Sequence, residues 1–176
     1  MRKYNGSALV WIIPVCAVCV ILAMMMLPCC SEQIGSAKAA HIIANMRNLK
    51  TSVLAWYADN LDSFDKEGTI SGKTVDDLAG NPETARTITE YLSSNSEPLT
   101  LRGKSARPGE YILTCGRNSR EWLIGCNLDG EDERVRHKLS ARAKAVGLLN
   151  YAGADSQLYD GKNSYVWLHV MTLTGE

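Results

Sequence analysis

Residues 9–30, LVWIIPVCAVCVILAMMMLPCC, run for twenty-two positions without a charge or a strongly polar side chain. About 20 apolar residues in a helix span the hydrocarbon of a bilayer, so this length predicts a transmembrane helix. Ahead of it lies the short leader MRKYNG, basic through Arg2 and Lys3, and behind it the chain turns polar at Ser31-Glu32-Gln33 while keeping a helical pattern. Positive charge on the short flank predicts a cytoplasmic N-terminus and an exported remainder. The expectation is a single-pass protein of the inner (cytoplasmic) membrane carrying one small ectodomain.

Residues 31–176 are the size of one domain, long enough to bury a core without staples. The chain carries 19 basic and 19 acidic residues, and with Arg2 and Lys3 set apart the ectodomain is close to neutral. That balance argues against nucleic acid and against a membrane-coating surface. Four of the six cysteines, Cys16, Cys19, Cys29 and Cys30, belong to the apolar stretch or its edge. Cys115 and Cys126 are the ectodomain's own pair, and an even pair in an exported domain makes a candidate disulfide. The alternatives at the N-terminus are a cleaved secretory signal and a lipoprotein signal. The segment is long for the first, and Pro28 before Cys29 suits neither.

Past the apolar run, Ala39, Ile42, Met46, Leu49, Val53 and Trp56 recur at spacings of three and four, one stripe of an amphipathic helix. Lys38, Arg47, Lys50 and Asp59 fall off that stripe. No proline interrupts 31–60, so one rod from Ser7 to about Asn60 is expected, bent at Pro14 and Pro28, with Gly35 a point of flexure.

Gly6 closes the basic leader, and Ser7-Ala8-Leu9-Val10 leads straight into the helix. This resembles the prepilin pattern of type IV pilins and type II secretion pseudopilins. Asn48-Leu-Lys-Thr-Ser-Val-Leu-Ala-Trp-Tyr-Ala-Asp-Asn60 is similar to the end of the helix in the same family. The resemblance implies cleavage between Gly6 and Ser7 by a prepilin peptidase and a helix start at Leu9 and Val10. Pro28 then sits about where such helices bend. It also implies partners: other pilin or pseudopilin subunits, an inner-membrane assembly platform, and membrane lipid before assembly. Trp11 stands where the family usually has glutamate, so this chain cannot neutralise a neighbour's N-terminal amine there, which points to a minor or end-positioned subunit. The alternative is a signal-anchored periplasmic binding or sensing domain that joins no filament.

In the head, 61–73 is a surface loop and 74–78 a helical turn. Asn81-Pro82-Glu83 opens a helix to about Leu92, through an N-cap, a first-turn proline and a first-turn acid. Residues 99–101 form a short strand, and Arg102, Lys104 and Arg107 make a solvated basic loop. Runs 111–115 and 121–126 pair as a hairpin. The acids between Asp129 and Glu133 suggest calcium or, better, the start of a helix over 131–149, where negative charge complements the dipole. Residues 164–171, apolar on both faces, predict a central last strand.

No GxSxG, Walker loop, HExxH or GxGxxG is present, and His41, His137 and His169 are isolated in sequence. No enzyme, cofactor, metal site or nucleic-acid partner is expected. The expected fold class is α+β, a long N-terminal transmembrane and spine helix packed on a small antiparallel β-sheet head with additional helices. Its divisions are a leader at 1–6, a transmembrane helix at 7–30, an amphipathic spine at 31–60 and the globular head at 61–176. The expected function is a structural subunit of a pilus-like or pseudopilus filament.

Overall fold

The computed structural model describes residues 7–63, 75–92, 99, 101–102, 105–115, 121–151 and 157–172, with backbone alone at 7–11, 13, 23–31, 63 and 75–76. Helix α1 (Ser7–Asp59) runs for 53 residues, unbroken through Pro14 and Pro28. At its end the Asn60 side chain donates to the Trp56 carbonyl at 2.8 Å, closing the last turn. Short helices α2 (Val75–Ala79) and α3 (Pro82–Glu90) follow, then strands β1 (Leu101–Arg102), β2 (Tyr111–Cys115) and β3 (Glu121–Asn127). Helix α4 (Glu133–Val146) and strands β4 (Leu148–Leu149) and β5 (Tyr165–Thr172) complete the order.

The strands form one five-stranded sheet, β1-β2-β3-β5-β4, parallel between β1 and β2 and antiparallel elsewhere. Its helix-facing side meets the stripe of α1. Ala39, Ile42, Met46, Leu49, Val53 and Trp56 are all buried, in one cluster with Leu113, Trp122, Ile124, Val135, Leu139 and Val166. Each such side chain taken fully out of water contributes about 1.5–3 kcal/mol. Helix α4 crosses α1 beside Gly35, where a Cβ would sit 3.3 Å from the Cβ of Arg134. Gly35 therefore serves close helix packing rather than flexure. An Arg142 Nη2 bond to Ser36 Oγ at 3.1 Å and a Lys50 Nζ bond to the His169 carbonyl at 3.0 Å tie α1 to α4 and β5.

The N-cap read at Asn81 is present, and the acidic run expected to open the next long helix supplies a cap at Asp132. Asn81 Oδ1 accepts from the Glu83 amide at 2.9 Å, with Pro82 opening α3. Asp132 Oδ1 accepts from the Arg134 amide at 2.9 Å and opens α4. Helix α4 is shorter than expected, because Gly147 adopts φ +81°, the left-handed C-cap conformation. Leu148 and Leu149 then leave the helix and pair with β5.

The expected fold class needs correction. Among the described residues no helix is long and apolar enough to cross a membrane. The transmembrane helix at 7–30 and the single-pass inner-membrane placement are both withdrawn on that finding. The sheet is mixed rather than antiparallel, since β1 joins β2 in parallel. The strand buried along nearly its whole length is β3, while β5 alternates between buried and half-buried residues.

Candidate functional site

Along α1, Ile12, Val15, Val18, Val20, Ile21 and Leu22 are each 51–60% exposed. At 3.6 residues per turn these positions fall on every side of the helix, so no side of this length is covered. Ser7 is the first residue of α1, and Leu9, Val10, Trp11 and Pro28 lie within it. Gly6 and the leader at 1–6 lie outside the described residues.

The candidate disulfide does not form. The β2–β3 ladder sets Cys115 opposite Trp122 and Cys126 opposite Tyr111. The two cysteines are thus separated by four ladder positions, on the order of 13 Å at ~3.3 Å per residue. A disulfide needs Cα atoms within about 7 Å, and the two are not bonded to each other.

In the head, a cleft of about 610 Å³ opens between residues 37–45 of α1 and the adjoining ends of β2 and β3. Asn45, Tyr111 and Cys126 line its floor together. The Cys126 thiol reaches the Asn127 carbonyl at 3.9 Å. Asn45 Nδ2 also lies 3.4 Å from His41 Nδ1, one helical turn back. Burial pushes the Cys126 thiol up to about 12, helped by the nearby Glu131 carboxylate. Burial likewise raises the Tyr111 hydroxyl well above its ordinary range, with Cys126 adding to it. A thiol held that high stays protonated at neutral pH, unlike the thiolate that nucleophilic chemistry requires.

The rim is ordered by polar contacts. Asn127 Nδ2 donates to the Ala106 carbonyl at 2.9 Å, and Asn127 Oδ1 accepts from the Asp129 amide at 2.9 Å. The Glu110 carboxylate takes both Arg102 Nε and Arg102 Nη2, the latter at 3.0 Å, and the Arg107 amide at 2.9 Å. The Arg102 guanidinium, with the Arg107 amide, holds the Glu110 carboxyl below the usual carboxylate range. Arg102 is thereby engaged on Glu110, Arg107 gives it only a backbone amide and keeps an exposed side chain, and Lys104 lies outside the described residues. Lys38 Nζ meets Glu131 Oε2 at 3.2 Å across the mouth.

Reading the sequence did not find this cleft. His41 and Asn45 lie one turn apart on α1, but Tyr111 and Cys126 reach them only through strand pairing. Their spacing carries no motif, and the nearest signal was the polar Asn45 beside an otherwise apolar stripe. Among the described residues no group of three or more His, Cys, Asp or Glu side chains converges on a metal position. Comparison of the chain with protein-family models, curated proteins and solved structures finds no match.

Proposed function

We propose that the chain is a structural subunit of a pilus-like or pseudopilus-like filament, assembled through the apolar length of α1 packing against corresponding helices of other pilin-like subunits. The observation that carries this reading is the all-round exposure of apolar side chains between Ile12 and Leu22. A helix that is apolar on every side is stable when buried on every side. One partner covers one side only. Six side chains at about 1.5–3 kcal/mol each give on the order of 10 kcal/mol or more when fully buried, against an association cost of about 4–15 kcal/mol. A single helix pair falls short of that sum, and several neighbours reach it, which favours a multi-subunit assembly over a dimer. The prepilin-like residues Gly6, Ser7, Leu9 and Val10 support the same reading.

Intact-mass measurement of the protein from cells with an active prepilin peptidase tests it. The expected mature chain begins at Ser7, and a chain that still begins at Met1 removes the pilin-like reading.

A further inference from the structure

We propose that the cleft between α1 and the β2–β3 ladder binds a small amphipathic cation, a molecule with a protonated amine at one end and an apolar body at the other. At about 610 Å³ the cleft falls within the roughly 300–1,000 Å³ typical of small-molecule sites. Its wall is divided in a way that suits such a ligand. Ile42, Leu99 and Leu128 are buried apolar side chains lining one part. Of the charged groups lining it, Glu110 is already taken by Arg102 and the Arg107 amide, which leaves Glu131 and its partner Lys38. The Glu131 carboxylate makes itself felt at the floor, since together with burial it raises the Cys126 thiol. Glu131 therefore offers a ligand amine a carboxylate counter-ion, while a ligand carboxylate is repelled by it.

One acceptor is positioned for the amine. Glu131 Oε2 is held by Lys38, but the lysine side chain is 56% exposed, and such a pair is worth about 1 kcal/mol or less. A ligand amine exchanges with Lys38 at little cost. Lys38 then acts as a built-in competitor for the site, a role that separates this proposal from simple cavity filling. The proposal does not depend on the filament reading, because the cleft lies on the packed half of α1 and the exposed apolar length lies on the other.

The test is isothermal titration of the full chain with phenethylamine, phenethyl alcohol and phenylacetate. The amine is expected to bind, the alcohol about tenfold more weakly or worse, and the acid undetectably. Glu131→Gln is expected to weaken amine binding about two- to fivefold, and Lys38→Met to strengthen it by a similar factor. The opposed directions distinguish a site effect from loss of fold, which moves both variants the same way. Absence of amine binding, comparable binding of all three probes, or a Lys38→Met variant that binds the amine no better overturns the proposal.

Discussion

The indole rings of Trp56 and Trp122 stack with centroids 5.8 Å apart and planes 23° apart, joining the last turns of α1 to strand β3. Trp122 is 0% exposed, and its Nε1 is buried without a hydrogen bond. The pair thus combines a large apolar gain with one desolvated donor, and the two effects separate by substitution. Trp56→Ala is expected to cost about 3–5 kcal/mol through the cavity it leaves. Trp122→Phe loses volume but also removes the unpaired N–H, worth about 1–3 kcal/mol, so its net cost is expected to be about 1 kcal/mol or less. Urea unfolding followed by tryptophan fluorescence measures both. A Trp122→Phe loss as large as that of Trp56→Ala contradicts the assignment of an unsatisfied donor.

On the opposite face of the sheet, Trp167 lies across Gly125 of the neighbouring strand. A Cβ at Gly125 would fall 2.5 Å from Trp167 Cζ3 and 2.9 Å from Ile112 Cγ2, closer than atoms tolerate. Gly125→Ala is expected to destabilise by about 1–3 kcal/mol through overpacking. Adding Trp167→Ala should recover part of that loss, a coupling of about 0.5 kcal/mol or more in a double-mutant cycle. Strictly additive losses would mean that the ring and the glycine do not share the space.

Stability is expected to fall at alkaline pH. Burial raises the Cys126 thiol to about 12 and the Tyr159 hydroxyl to about 12, and it lifts Tyr111 as well. In each case the folded value lies above the unfolded one, so the folded state holds more protons between the two. Stability is then full below about pH 9 and declines as the pH rises toward 12, with the thiol contributing at most about 1.4 kcal/mol per pH unit. Cys126→Ala should delay the onset of that decline by about one pH unit, to where the tyrosines begin to titrate. Urea midpoints taken across the alkaline range provide the readout, and a wild-type midpoint that rises above pH 9 would contradict the assigned burial.

The elements that the sequence made legible are those set by local chemistry. The three-and-four spacing from Ala39 to Trp56 names residues that are all buried, because a helix face repeats with the same period as the chain. Asn81 caps as read, since an N-cap bond closes within two residues. The acidic run expected to open α4 supplies its cap at Asp132, so the helix begins at Glu133, two residues later than the start read from the sequence. Non-local pairing was not legible. Leu148 and Leu149 continued the apolar pattern of α4, and only the left-handed Gly147 diverts them into a strand. Register was open too: whether Cys115 faced Cys126 depended on the loop between β2 and β3, and the ladder settles it against a bond. The cleft draws on His41, Asn45, Tyr111 and Cys126, which only the packing of α1 on the sheet brings together.

The exposed length of α1 should be separable from the head. Val18→Asp places a charge where 55% of the residue is exposed and outside the buried cluster. It is expected to leave the unfolding midpoint of the head within about 0.5 kcal/mol of the parent. The same substitution should abolish higher-order species in sedimentation velocity, because a carboxylate buried between apolar helices is costly. Assembly that persists in Val18→Asp would place the contact elsewhere.

The bond from Lys50 to the His169 carbonyl joins residues 119 positions apart in the chain. At about 5–20 residues per second of synthesis, β5 follows α1 out of the ribosome by roughly 6–24 s. For that interval the nascent chain displays the stripe from Ala39 to Trp56 with part of the surface that will cover it still untranslated. Order of synthesis thus makes α1 the first of the described elements and among the last of them to be sheltered. Any factor that guards this chain during translation has its natural target there, at Met46, Leu49 and Val53.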